Sequence, residues 1–276
     1  MLLGYSRFGD ENKLQWLSPL GEPRYAQVFR AMLQTPETAP LQVDSSYLVA
    51  EDSTNHGVAS PGFSEKFFRE CGLSTALDEA QRADLAASLQ AALHDAVCTL
   101  AVRYSSAAGE RNICLGGGIA LNALLVAHLE QSGKFAGVFT HPAAGNAGNA
   151  MGAALHVAHQ VLRIELRDEL AHLFLGPEYS DEEIKEVLDN SKLTFRYLPQ
   201  RREIIVDAVQ ALQQDRILGW FQGRMEFGPR ALGARSILAS PLGTYVNENL
   251  NHYVKHRESF RPFAAAVQAE IGRAHV

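Results

Sequence analysis

The chain has 276 residues, is 46% hydrophobic and 20% charged, and carries a formal net charge of -6. That length can bury a substantial core and hold one large or two ordinary domains. The composition excludes a disordered or fibrous chain, and the acidic balance gives no general affinity for nucleic acid. The charge is uneven, however: residues 200–262 hold nine Lys/Arg against six Asp/Glu, a locally basic stretch that suits a small anionic ligand.

The first 78 residues are broken by Pro19, Gly21, Pro23, Pro36, Pro40, Gly57, Pro61 and Gly62 and read as irregular, with one helix near Tyr25 to Gln34. Gly9 to Lys13 reads as a charged turn before a proline loop. From Asp78 to about Ser105 apolar residues recur at three and four residue spacing (Leu85, Leu89, Leu93, Val97, Leu100), which predicts a long amphipathic helix. Asn112–Leu115 predicts a buried strand, Gly116 to Gly118 a tight turn, Ile119–Gln131 a helix, Phe135–Thr140 a strand and Ala147 to Leu162 a helix. Alternation of strand and helix predicts an α/β fold with parallel strand neighbours. Gly176-Pro177 marks a break, Ser180 to Glu183 a capping box opening a helix to Asn190, and a boundary is expected near residues 163–180. A strand at Thr194–Leu198, a helix at Arg202–Asp215 and a strand at Ile217–Phe221 complete the reading.

Cys71, Cys98 and Cys114 are too few and too scattered for a disulfide framework or a CxxC site, which favours a reducing compartment. Cys98, in the helical pattern, and Cys114, in a strand, are expected to be buried small hydrophobes. There is no basic segment leading into an apolar signal core, and no apolar run reads as approaching the ~20 residues that span a bilayer. A cytoplasmic protein without membrane contact is expected.

The densest chemistry lies in Trp220 to Gly233, where Arg224, Glu226 and Arg230 alternate with glycines directly after an apolar strand, and Arg235 follows. Guanidinium groups grip phosphate or carboxylate bidentately, and glycines let the backbone approach a ligand. The interleaved aromatic residues favour a cleft with charged walls over an open surface. Lys255 to Phe263 is a second basic and aromatic cluster. The glycine run Gly116-Gly117-Gly118, between strand and helix, matches neither the GxGxxG nor the GK[ST] pattern, yet offers N–H groups to an anion. His141 to Gly152 is a further glycine-rich turn.

The runs EFGPRALGARSILASP and YVKHRESFRPFAAAV resemble the ATP-dependent O-carbamoyltransferases of nodulation-factor and antibiotic biosynthesis, as do GDENKLQWLSPLGEPRY, CLGGGIALNALL and THPAAGNAGNAMGAA upstream, in the same order. The resemblance implies the C-terminal part of an actin-like (ASKHA) ATPase-type domain over residues 1–165, a linker over 166–180, and the start of a YrdC-like α/β domain over 181–276. It implies that carbamoyl phosphate and ATP form carbamoyl-adenylate, and that the carbamoyl group then passes to an acceptor alcohol. Arg230, Lys255 and Arg261 match positions that grip the phosphates and the carbamoyl group. Gly116, Gly117, Gly118, Asn122, Gly145 and Gly148 match the nucleotide turns, with Arg224, Glu226 and Arg235 as further members of the anion site. Arg235 is equally readable as an internal ion-pair partner of Glu226. Asn146 stands where the family carries a metal-binding aspartate beside two histidines upstream of Met1. An amide oxygen brings no charge, so affinity for iron or manganese is expected to be weak. No nucleic-acid or membrane partner is implied, and a homodimer is compatible with the reading.

Two rival classes share the glycine turns: an actin-like-fold ATPase or sugar-kinase relative, which has no use for the EFGPRALG and FRPF blocks, and a non-catalytic nucleotide-binding module, which has no use for Lys255 and Arg261. Both ends read as cut, Met1 as an internal methionine and Ile271 to Val276 as an assembly scar encoded by an adapter sequence. A fragment of this kind is expected to be inactive alone.

Overall fold

The computed structural model describes residues 10–49, 62–165 and 170–267. The two end segments read as cut therefore lie outside the described residues, as does the start of the expected linker. The chain forms two compact units, Met1–Gly145 with Phe260–Val276, and Asn146–Ser259.

The first unit is organised by one long helix. Helices α1 (Glu11–Leu17), α2 (Ala26–Met32) and α3 (Glu65–Cys71) precede α4 (Glu79–Ala108). α4 begins where a capping box permits: the Asp78 carboxylate accepts from the Gln81 N–H and the Gln81 side chain accepts from the Asp78 N–H. It ends at Gly109, whose φ of 69° is left-handed. By length and composition α4 is apolar enough to cross a membrane, contrary to the expectation for any segment of this chain. The alanines that give it that character are instead packed: Ala83 and Ala86 meet Leu17, and Ala92 joins Phe29, Met32, Tyr47, Phe67 and Leu85 in the main core cluster. Phe29, Phe63 and Phe67 meet there with ring centroids 4.1 to 6.2 Å apart. Gly21 sits against α4 so closely that a Cβ would lie 2.2 Å from the Ala83 carbonyl group.

Short antiparallel pairs decorate this core, β1 (Leu33–Gln34) with β2 (Gln42–Val43) and β3 (Leu48–Val49) with β4 (Gly62–Phe63). On the other side β5 (Asn112–Leu115) pairs in parallel with β6 (Gly137–Thr140), connected through α5 (Ala123–Gln131). Cys98, Leu125 and Leu129 bind this layer to α4. The expected parallel pair is thus present. Cys98 is buried but Cys114 is exposed. The β5 side chains alternate, and Ile113 and Leu115 take the face toward the core, so Cys114 takes the other. The expected helix from Ile119 is divided: Gly118–Leu121 is a 3-10 turn, and α5 starts only after Asn122, whose side chain caps it.

The second unit holds α6 (Asn149–His156), α7 (Asp181–Asn190), α8 (Arg201–Gln213), β7 (Leu218–Phe221), β8 (Arg235–Leu238) and α9 (Val246–Asn249). The capping box at Ser180 and Glu183 is formed. No strand forms at 194–198, because no described segment pairs with it, and apolar side chains alone do not supply the missing ladder. β8 was not anticipated, and it pairs antiparallel with β7 from Leu218↔Leu238 to Phe221↔Arg235. The arginine-rich segment is therefore the long loop of a hairpin.

Candidate functional site

In the first unit the candidate nucleotide turn follows β5. Gly117 has φ 88° and its N–H donates to the Ala144 carbonyl at 2.9 Å, tying the turn to the second glycine-rich loop. Gly116 and Gly118 have no such conformational demand, and a Cβ on either would meet nothing within 4 Å among the described residues. Packing does not require glycine there, so the open space in front of the turn is free for a ligand that needs close backbone approach. A Cβ on Gly145 would come within 3.4 Å of Leu121, so that glycine is already half explained by packing.

The start of α5 is held from behind by two buried glutamines. Gln15 Oε1 accepts from the Ala123 N–H at 3.0 Å, and the Gln90 amide makes a cyclic pair with that of Asn122, at 3.0 and 3.2 Å. Asn122 Oδ1 also accepts from the Leu125 N–H at 3.1 Å. Asn122, expected to face a ligand, thus spends its side chain on the helix cap and on Gln90.

In the second unit the hairpin loop is built around one carboxylate. Glu226 has a side chain with 0% exposure, and its Oε1 accepts from the N–H groups of Leu232 and Ala234, both at 2.7 Å, and of Arg235 at 3.3 Å. Arg235 Nε lies 3.4 Å from Oε2, the only partner that oxygen has among the described residues. Burial pushes the Glu226 carboxyl up, but the backbone donors outweigh it and hold the group at about 2. The charge is therefore internal to the loop. Gly228 and Gly233, at φ 114° and 108°, supply the left-handed turns that let the loop close on it.

A strut from outside the hairpin supports it. The Phe227 N–H donates to the Leu173 carbonyl at 2.7 Å, the Gly176 N–H to Met225 at 2.9 Å and the Met225 N–H to Pro177 at 3.1 Å. Arg224 Nε donates to the Gly176 carbonyl at 3.0 Å. Arg224 also lines a cleft of about 1110 Å³ with Arg201, Arg216, Phe174 and Trp220, in whose wall Arg196 is ion-paired to Asp207. Arg230, farther along the loop, is exposed and is not among the residues that line that cleft.

Lys255 follows a π-helical turn, Leu250–Val254, and is exposed. Asn251, 1% exposed, organises this segment, donating to the Ser259 carbonyl at 3.1 Å and accepting from Arg257 Nε at 2.7 Å. Arg261 belongs to the first unit, where its Nη1 donates to Asn12 Oδ1 at 2.9 Å and its neighbour Phe260 packs on Leu17, Ala83 and Ala86. Of the three residues expected to grip phosphate and carbamoyl, Arg230 and Lys255 thus lie in one unit and Arg261 in the other.

The described residues do not fit a metal. Asn146 is exposed, and no three His, Cys, Asp or Glu side chains converge among the described residues. His141 turns its Nδ1 inward to accept from the Ala143 N–H at 3.0 Å. Gly148 closes the short turn Asn146–Gly148 before α6.

The order and spacing of these blocks have a counterpart in known proteins. Models described as the carbamoyltransferase N-terminus and C-terminus match residues 1–155 and 209–275. The chain belongs to the carbamoyltransferase family. It is similar to an uncharacterized protein, sll1178, of Synechocystis, at 36% identity over 97% of this chain and 44% of the relative. Nodulation protein NolO of Bradyrhizobium diazoefficiens is 34% identical over 97% of this chain and 46% of its own length. A 3'-hydroxymethylcephem-O-carbamoyltransferase of Amycolatopsis lactamdurans is 32% identical over 56% of this chain and 28% of its own. The chain spans somewhat under half the length of the first two of these curated relatives.

Sequence reasoning about this carbamoyltransferase chain missed Gln15, Gln90, Asn251 and the Leu173–Pro177 strut. Gln90 did leave a signal, being a polar residue four positions after Ala86 on the face of α4 that buries small side chains. The strut left none, since its bonds come from backbone atoms.

Proposed function

We propose that the chain is part of an O-carbamoyltransferase that uses ATP to activate the carbamoyl group of carbamoyl phosphate as carbamoyl-adenylate and passes it to an acceptor alcohol in the cytoplasm. In the activation step water takes up the donor's phosphoryl group, giving inorganic phosphate and carbamate, and the carbamate oxygen then attacks the α-phosphorus of ATP and expels pyrophosphate, so that the carbamoyl group is joined to the adenylate. In the transfer step the acceptor hydroxyl attacks the carbamoyl carbon and gives up its proton, and AMP leaves. Residues 1–165 would correspond to part of an actin-like domain and residues 181–276 to part of a YrdC-like one.

The observation that carries the reading is the internal neutralisation of the hairpin loop. Because Glu226 spends its charge on backbone donors and Arg235, Arg224 and Arg230 stand on a loop whose shape is already set. Preorganised cations need no rearrangement when phosphate arrives, which is where electrostatic catalysis gains most. Gly116 and Gly118, with space where a Cβ would stand, support a second nucleotide contact in the first unit. No step is routed through a metal, since the described residues do not build a site for one.

Isothermal titration of the chain with ATP, with carbamoyl phosphate and with both tests the reading. Salt-sensitive ATP binding that weakens in Arg230→Ala is expected. Equal ATP binding by the parent chain and that variant would put the site elsewhere, and no ATP binding at all would remove the reading from this chain.

A further inference from the structure

The cyclic amide pair behind the glycine turn has one orientation only, and it is dictated by a backbone donor. The Leu125 N–H can only donate, so the Asn122 atom 3.1 Å from it is the amide oxygen. Asn122 Nδ2 then faces Gln90, which must present Oε1 at 3.0 Å. That places Gln90 Nε2 against His94 Nε2, 2.6 Å away, and Gln90 is itself only 4% exposed. An amide nitrogen is a donor without a usable lone pair, so His94 Nε2 must accept, and the imidazole is the neutral tautomer with its proton on Nδ1.

A proton on His94 Nε2 would set two donors against each other. Gln90 could relieve this only by turning its amide over, which opposes oxygen to oxygen and nitrogen to nitrogen at Asn122. Asn122 would then have to turn as well, and its NH₂ would face the Leu125 N–H, removing the cap on α5. We propose that Gln90 and His94 form a proton-sensitive clamp on the glycine turn: neutral His94 fixes Gln90, Gln90 fixes the Asn122 amide, and uptake of one proton releases the start of α5.

The surroundings keep His94 neutral. His128 on α5 stacks on it with ring centroids 4.5 Å apart and 14° between planes, an arrangement that opposes charging the ring. Burial and His128 push His94 down to about 4, against the opposing pull of Asp95, which is itself paired with Arg30 of α2 at 2.7 Å. On α1, Lys13 is paired with Asp10 and Glu11 is exposed, as is Glu130 of α5, and β1, β5 and the Ser18–Leu20 turn carry no charged side chain. Gln90 is thus a positioning residue, and it rests on the nucleotide reading only for what the turn would hold.

Imidazole nitrogen NMR of the 276-residue chain at pH 7 should show His94 as the Nδ1–H tautomer. An Nε2–H tautomer or an imidazolium at that pH overturns the clamp. Hydrogen exchange, corrected for intrinsic rates, should show the Leu125 amide losing protection by about fivefold as His94 titrates, the worth of one helix cap, while the Leu129 amide holds. His94→Phe should remove this pH dependence, and Gln90→Leu should deprotect Leu125 at every pH. Leu125 and Leu129 moving together, or pH dependence surviving in His94→Phe, refutes the proposal. ATP titration along the same pH series keeps the two ideas apart: a clamp that titrates in a chain binding no ATP leaves the clamp standing and removes the nucleotide.

Discussion

Glu226 and Ala234 lie eight residues apart and are both buried, joined by a 2.7 Å hydrogen bond from the Ala234 N–H to Glu226 Oε1. Glu226→Ala would leave the Leu232 and Ala234 N–H groups without that acceptor, at a cost of about 1–3 kcal/mol for an unsatisfied buried donor. Denaturant unfolding of the variant should show this loss, and Glu226→Gln, which keeps one acceptor oxygen, should lose less. Equal midpoints for the parent chain and Glu226→Ala would mean that the loop does not depend on the carboxylate.

The same group sets an acid limit. Its folded pKa is depressed from 4.5 to about 2, so the unfolded chain binds the proton more tightly. The stabilisation is complete above about pH 4.5 and is lost as pH falls toward 2. The difference in unfolding midpoint between the parent chain and Glu226→Gln should therefore narrow across that window. A difference that stays constant down to pH 2 would contradict the assignment.

Gly21 is needed for a different reason. Its φ of -123° is open to any residue, but a Cβ would stand 2.2 Å from the Ala83 backbone. Gly21→Ala must push α1 and its following turn off α4, an overpacking cost of about 1–3 kcal/mol or more. Thermal or denaturant unfolding reads it directly, and an unchanged midpoint would show that the contact between this loop and α4 has room for a methyl group.

What could be read from sequence followed the local signals. α4, α5, α7, β5 and the β7 strand were legible because periodicity, capping boxes and glycine stops are written within a few residues. α1 and α3 were hidden, each being seven residues long in a proline-punctuated region and held by packing more than by propensity. β8 was read only as the tail of an arginine motif, since its pairing with β7 depends on a partner fourteen or more residues away. The residues expected to form an anion site were nameable by residue type, but their division between two units was not: Phe260 docks on Leu17, Ala83 and Ala86, and that contact carries Arg261 with it.

Gly118→Ala separates ligand approach from folding. The added methyl meets nothing within 4 Å among the described residues, so stability should change by less than about 0.5 kcal/mol. ATP affinity, if the turn receives the nucleotide, should fall by roughly 1 kcal/mol or more through the lost close approach. Calorimetry with ATP alongside an unfolding curve gives both numbers. A destabilised variant would mean that the glycine serves the fold.

The second unit leaves apolar surface uncovered on α8, where Ile204, Ile205, Val206 and Val209 are each between 42% and 46% exposed. Single exposed apolar residues are ordinary, but Ile205, Val206 and Val209 share one side of the helix, Val209 standing four and three positions after the other two, and water covers such a stripe at a cost. The chain should bind an environment-sensitive hydrophobic dye and self-associate with rising concentration and salt, because salt screens the charges of Arg201, Arg202 and Glu203 nearby. Ile205→Lys should cut both effects without lowering the unfolding midpoint, since that side chain is already 46% exposed. A monodisperse chain with no dye binding would show that this face is covered in solution, and a lowered midpoint in Ile205→Lys would show the residue buried there.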